Sequence, residues 1–481
     1  MKKIIFNILI IFVFITAFSI DFSPEMFKEL ANNKNEKPII KIPTFTRTEL
    51  NNGMIIYLIE DNSLPIIEMT GFIKGGLSFE DDTNAGITSI MVQMMNKGNK
   101  NYSESDFSKF KELNGISLSM DVKNDYISFE GNALSSDKEK MVDLLKETLI
   151  NVDFNKDYLL RVLQESYAYL MQARTNEDSI SKMYFYKNIY NDIPYSYQYD
   201  LNQILMNIQT ITPDKIMAHY NKSISPDKII VAISGDFETK KMLNYISNSF
   251  SDWNKKSSKI PEFERKDNSQ LNNKILLINK PDSTQANIIM GYNFYKKNEF
   301  KDRIPFTIAN QIYGSGDFQC RLMKELRTNK GLVYGVYSNF TENINDGVFS
   351  ISTTVRPEKT FEARKDIIKI MNDIKENKNP INEDEVFQIV NIYNALLPSS
   401  LNDKISIIRS IISSLDLNKE RLDYMNYFIN EYNKLNAEKV QKSFVENTYP
   451  EKFFTVIVGN KEQILPEFQK NGIDIDIIDL N

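Results

Sequence analysis

The chain repeats itself. Residues Ile211–Asp236, ITPDKIMAHYNKSISPDKIIVAISGD, align without a gap on Leu435–Asn460, LNAEKVQKSFVENTYPEKFFTVIVGN. Asp214-Lys215 meets Glu438-Lys439, Pro226 meets Pro450 and Gly235 meets Gly459, an offset of 224 residues (459 − 235). A period that long excludes a solenoid and requires two copies of one folded unit. Each unit mixes element types, because Thr212-Pro213-Asp214 is a helix start and Ile229–Ser234 is a β-branched run. The expected fold class is α+β: two homologous halves, each an antiparallel-rich sheet packed with helices, joined by a linker.

In the first half, Met54–Glu60 and Pro65–Lys74 predict strands, and Asn84–Gly98 predicts a helix with Ile87, Ile90, Met91, Met94 and Met95 as its buried stripe. Ser103-Glu104-Ser105-Asp106 starts a short helix, Ile116–Val122 and Tyr126–Ala133 pair as strands, and helices follow over Ser135–Ile150, Asp157–Arg174 and Asp178–Tyr190. Lys255–Asn268, polar and without periodicity, suits an exposed linker. Strands over Lys274–Asn279, Gln285–Asn293 and Val348–Val355 repeat the pattern, with a helix over Arg303–Tyr313 and several between Pro357 and Asn430. The expected domains are 20–254 and 271–481, with the linker over 255–270.

Composition narrows the chemistry. A net charge of −6 offers no field for nucleic acid. One cysteine, Cys320, excludes an internal disulfide and any cysteine-rich metal site. With one histidine, His219, no zinc site with two or three His ligands can be built, and His219 itself reads as an ordinary residue on an amphipathic helix. Met1-Lys2-Lys3, the mostly apolar Ile4–Ile15 and the small-x-small Ala17-Phe18-Ser19 read as an export signal over 1–19. No stretch reaches transmembrane length, so no stable span is expected after cleavage, and the mature protein is expected to be periplasmic or secreted.

The stretch Gly314–Ser338, GSGDFQCRLMKELRTNKGLVYGVYS, carries the most information about function. Leu322, Met323 and Leu326 give a helix an apolar face, Asn329-Lys330-Gly331 stops it, and Leu332–Tyr337 reads as a strand. Arg327 near the helix end and Tyr334 on the strand can then face one cleft.

The wording R-L-x-x-x-L-R-x-x-x-G-L-x-Y resembles the second half of the pitrilysin/insulinase-type zinc metallopeptidases, which include the mitochondrial processing peptidases. The resemblance implies two α+β halves over nearly the whole mature chain, and it implies that Arg327 and Tyr334 hold substrate backbone near the scissile bond. It also implies H-x-x-E-H, within G-L-A-H-F-L-E-H-M-x-F-K-G-T, on the first long helix. Here Gly86–Asn99 reads G-I-T-S-I-M-V-Q-M-M-N-K-G-N: Gly86, Met94, Lys97 and Gly98 fit, but Ser89 and Gln93 stand where the histidines belong and Val92 replaces the general base. A hydroxyl and an amide are poor zinc ligands, and valine carries no proton. Glu165, in L-Q-E-S, matches the third ligand by local wording and otherwise reads as a helix-surface carboxylate. On the edge strand Gly115–Val122, Ser119 and Met120 replace the family's Asn-Ala pair, leaving a backbone that can still pair with an extended peptide.

Two functional readings stay open. In one, the chain is the non-catalytic, substrate-binding subunit of an exported two-subunit zinc endopeptidase. No cofactor is then expected on this chain; a homologous partner with intact H-x-x-E-H brings the zinc, and a peptide or unfolded polypeptide is the substrate. In the other, it is an inactive pseudo-peptidase serving as a scaffold or peptide-binding protein.

Overall fold

The computed structural model describes Glu29 and residues 36–297, 299–316, 319–400, 403–417 and 421–480, so the expected export signal lies outside the described residues. The first sheet is built from β1 (Thr46–Glu49), β2 (Ile55–Glu60), β3 (Ile66–Lys74), β4 (Ser117–Val122), β5 (Tyr126–Leu134) and β6 (Ile229–Gly235), in the spatial order β1-β2-β6-β3-β5-β4. The second holds β7 (Ile275–Asn279), β8 (Ala286–Phe294), β9 (Val333–Glu342), β10 (Gly347–Val355), β11 (Phe454–Gly459) and β12 (Asp476–Asp479), in the order β12-β7-β11-β8-β10-β9.

Five strands of each sheet repeat one another in order and sense. β2 runs parallel to β6 as β7 does to β11, and the next three pairings are antiparallel in both sheets. The sixth strands differ: β1 is antiparallel to β2, whereas β12 is parallel to β7. Neither was anticipated, because four half-exposed or exposed residues of mixed polarity give no alternation to read.

Local chemistry recurs at the repeat offset. Thr212 caps the helix Pro213–Ser223 by accepting from Lys215 N at 3.3 Å, and Asn436 caps Ala437–Asn447 from Lys439 N at 3.0 Å. Pro226 and Pro450 each open a 3₁₀ turn before the buried strand. Gly235, at φ 140°, lies where an added Cβ would stand 2.1 Å from the Ile66 carbonyl oxygen, so the crossing of β6 and β3 needs glycine there.

The halves are interwoven. Helix Glu177–Tyr190, from the first half, lies on the second sheet, burying Ile180, Phe185 and Ile189 among Ile278, Ile289, Val348, Phe454, Val456 and Val458. Helix Lys404–Ile412, from the second half, lies on the first sheet against β3 and β6, with Ile408 and Ile412 in one core with Tyr57, Phe72 and Ile230. Each sheet therefore has one face covered by its own half and one by the other. Lys404–Asp61 at 2.8 Å and Lys280–Glu177 at 2.5 Å tie the exchanged helices at their ends.

Lys255–Asn268 has neither helix nor strand, but it is fastened along its length. Lys255 Nζ sits 3.3 Å from the Tyr220 ring centroid, Ser258 N donates to Lys222 O at 3.0 Å, and Lys228 Nζ to Ser258 O at 2.7 Å. Further on, Phe263 packs edge-on to Tyr195, and Arg265 lies 3.5 Å from the buried Asp346 carboxylate.

Candidate functional site

The helix carrying Arg327 departs from the expected α-helix: Met323–Asn329 is π-helical, as is Gln311–Ser315 before it. Such segments recur at functional sites because they shift side chains out of α-helical register. Leu322, Met323 and Leu326 are buried as expected, and Gly331 (φ 59°) ends the helix in the left-handed region. Arg321 anchors the start: its guanidinium makes two 2.7 Å bonds to the Glu385 carboxylate and donates to Asn379 O at 2.5 Å and Pro380 O at 2.8 Å. The sequence shows Arg321 in the motif but gives no sign of this clamp, whose acceptors lie about sixty residues on.

The strand after the helix is bulged. Val336 pairs with Thr353 and Val333 with Val355, so Tyr334 and Gly335 together oppose Thr354 alone. A bulge at a sheet edge re-aims side chains, and β9 is the edge of the second sheet among the described residues. Tyr334 is 86 % exposed, and the Arg327 guanidinium stands 5.0 Å from its ring centroid. The structure thus brings the two expected residues together, in a cation–π pair on an edge strand whose Val336 N–H donates to Met323 Sδ at 3.4 Å.

The first-half positions are arranged differently. Helix Ile87–Met95 holds Ser89 and Gln93 half-exposed one turn apart, while Val92 is buried in the first-half core. The helix start is held by Glu80, whose carboxylate accepts from Gly86 N at 3.0 Å and Thr88 N at 2.8 Å. Thr88 Oγ1 in turn lies 3.0 Å from His219 Nε2. His219 is therefore a buried partner of the degenerate motif helix, a contact across 131 residues that its own helix does not announce. Burial, with Lys222 adding to it, pushes the imidazole down to about 4, and burial pushes the Glu80 carboxyl up.

Glu165 sits on helix Lys156–Ala173, 58 % exposed, and pairs with Lys97 at 3.1 Å. Lys97 also meets Glu104 at 3.3 Å, which Arg161 meets at 2.6 Å. These residues do not fit a zinc ion: Ser89 and Gln93 are weak donors, Val92 has none, Glu165 already has an ammonium partner, and His219 Nε2 faces Thr88.

The edge strand β4 brings a correction. Asn96, just past the motif helix, donates from Nδ2 to Met120 O and accepts from Met120 N, both at 3.0 Å. A side-chain amide thus occupies the backbone groups that a paired peptide would use at this position. Ser119 is exposed and Met120 buried, and the edge is not open at Met120 as its backbone alone implied.

Comparison with known proteins agrees with this arrangement. Residues 58–198 match the family described as insulinase (Peptidase family M16), and residues 210–393 match the Peptidase M16 inactive domain. The non-peptidase homolog YmxG of Helicobacter pylori is 25% identical over 313 residues, covering 63% of this chain and 69% of that protein. An uncharacterized zinc protease of Rickettsia felis is 20% identical over 351 residues, covering 72% and 81%. In fold, the chain is similar to a peptidase M16 inactive domain from Pseudomonas fluorescens (TM-score 0.76, 22% identity, 87% of this chain and 98% of that one). It is also similar to a protease from Helicobacter pylori (TM-score 0.77, 18% identity, 87% and 100%).

Proposed function

We propose that this chain, which belongs to the insulinase peptidase family M16, is a non-peptidase member that binds extended polypeptide and offers Arg327 and Tyr334 to a substrate held at a homologous partner's metal centre. One observation carries the reading. The Arg327–Tyr334 pair is assembled on a bulged edge strand with Tyr334 exposed, while the motif helix has no metal ligands and its neighbouring edge is capped by Asn96.

The division suits the chemistry. A guanidinium holds a carbonyl through charge-assisted bonds of about 1.5–3 kcal/mol, and a phenol donates to the oxyanion that forms as a carbonyl is attacked. Neither needs a metal on its own chain. The export signal read from residues 1–19 supports a site of action outside the cytoplasm, and the name of the Helicobacter pylori relative supports loss of peptidase activity in the chain alone.

The experiment is reconstitution. The chain alone should cleave no peptide, and adding the homologous subunit that carries H-x-x-E-H should produce an endopeptidase faster than that subunit alone. Equal rates with and without this chain would leave the scaffold reading in its place.

A further inference from the structure

The bulge that carries Tyr334 is held by side chains from two other elements. A bulge breaks the regular ladder at the extra residue, and here two backbone groups beside it are taken up by buried side chains. Thr353 Oγ1, on β10, donates to Gly335 O at 2.8 Å, and Val336 N–H donates to Met323 Sδ at 3.4 Å. Thr353 is 5 % exposed and Met323 1 %. Thr353 also pairs with Val336, so it stands where the regular register of β9 gives way to the bulge. Met323 opens the π-helical segment that carries Arg327, and its sulfur joins that segment to the bulged strand. Tyr334 itself is 86 % exposed, so packing around its ring does little to place it, and the backbone beneath must.

We propose that Thr353 is a positioning residue for Tyr334: by holding the Gly335 carbonyl, its hydroxyl fixes the bulge that sets the Tyr334 ring beside the Arg327 guanidinium. This rests on the reading that the pair acts on a substrate held by a partner, and adds the group that sets the pair's geometry. The argument is preorganisation. A donor aimed at a developing oxyanion works only when it is already in place, and a displacement of about 1 Å is enough to weaken it severely. Thr353 acts through the backbone of Gly335, next in sequence to Tyr334. Valine would fill the same space without the hydroxyl, and serine would keep the hydroxyl without the methyl, so hydrogen bonding and packing at this position can be told apart.

The test uses the full chain with Thr353→Val and Thr353→Ala, which both remove the hydroxyl, and Thr353→Ser, which keeps it. In the chain alone, loss of the hydroxyl should raise hydrogen exchange at the Gly335 and Val336 amides by about tenfold, with β8 unchanged, and Thr353→Ser should not. In the complex with the H-x-x-E-H subunit, Thr353→Val should lower kcat by about tenfold with KM little altered, and Thr353→Ser should restore it. In a Tyr334→Phe background the same change should lower kcat by less than about twofold, because the group it positions is already gone. Equal loss of kcat in the two backgrounds marks a merely structural role and overturns the proposal. So does unchanged exchange in both hydroxyl-free variants, or failure of Thr353→Ser to restore the rate. The two readings separate. No peptidase from the parent complex removes the reading and the positioning role together, whereas raised exchange with full kcat removes the positioning role alone.

Discussion

Asn96 closes the free edge of the first sheet by bonding both backbone groups of Met120, Oδ1 to the N–H and Nδ2 to the carbonyl, each at 3.0 Å. The carboxamide takes the place of one residue of a neighbouring strand. It stands where the family wording H-x-x-E-H-M-x-F-K-G has phenylalanine, a side chain with no amide to offer. Loss of the zinc ligands and closure of the adjoining edge thus occur within one segment, Ser89–Asn96.

Replacing that amide should reopen the edge. Asn96→Ala is expected to cost about 1–3 kcal/mol in denaturant unfolding, from two part-buried hydrogen bonds. It should also raise hydrogen exchange at the Met120 amide by about tenfold or more, with little change on β6. Unaltered exchange at Met120 would mean that the amide closes nothing.

The buried His219 should make stability depend on pH in one direction. Its folded value of about 4 lies below the ordinary 6.5, so the unfolded chain binds this proton first. The stabilisation is complete above about pH 6.5 and is lost as pH falls toward 4, by at most about 3 kcal/mol. A His219→Gln variant should be less stable than the parent at pH 7.5, and the gap should narrow between pH 6.5 and 4.5. A gap that is constant across that range would contradict the burial argument.

Metal affinity follows from the donors. Protein stripped of metal and then dialysed against micromolar zinc should keep well under one ion per chain, because Ser89, Val92 and Gln93 supply no strong ligand and Glu165 pairs with Lys97. One zinc per chain by elemental analysis, lost in Glu165→Gln, would reverse this conclusion.

The linker over 255–270, proposed as the domain boundary, should be the first site of limited proteolysis, because its Lys255–Asn268 part has neither helix nor strand. The nicked halves should nevertheless comigrate on gel filtration, since each sheet is covered by a helix of the other half. Separation under native conditions, or first cuts inside Ile87–Met95 or Lys156–Ala173, would argue against this organisation.

Much of the architecture was legible because it is local and occurs twice. The caps at Thr212 and Asn436, the prolines at 226 and 450, and the short apolar runs of strands β3 and β8 carry their own instructions. The site pair was legible through the resemblance of R-L-x-x-x-L-R-x-x-x-G-L-x-Y to the insulinase-type family, since a helix end, a glycine turn and a strand at Arg327, Gly331 and Tyr334 are common on their own. What stayed hidden depends on contacts far apart in sequence. The Thr88–His219 bond, the Arg321 clamp on Glu385 and the exchange of Glu177–Tyr190 for Lys404–Ile412 have no periodicity. The bulge at Tyr334–Gly335 hides for another reason, since Val333-Tyr334-Gly335-Val336 reads equally well as a regular strand.

The central claim is that Arg327 and Tyr334 act in trans, and Tyr334→Phe tests it most directly. The variant loses only a hydroxyl that makes no hydrogen bond among the described residues, so folding and assembly should survive unchanged. In the complex with the H-x-x-E-H subunit, peptide hydrolysis should then show kcat lowered by about 10²–10³ with KM little altered, the mark of a group that acts in the transition state. Full kcat in an intact complex would contradict the claim and leave this chain a scaffold.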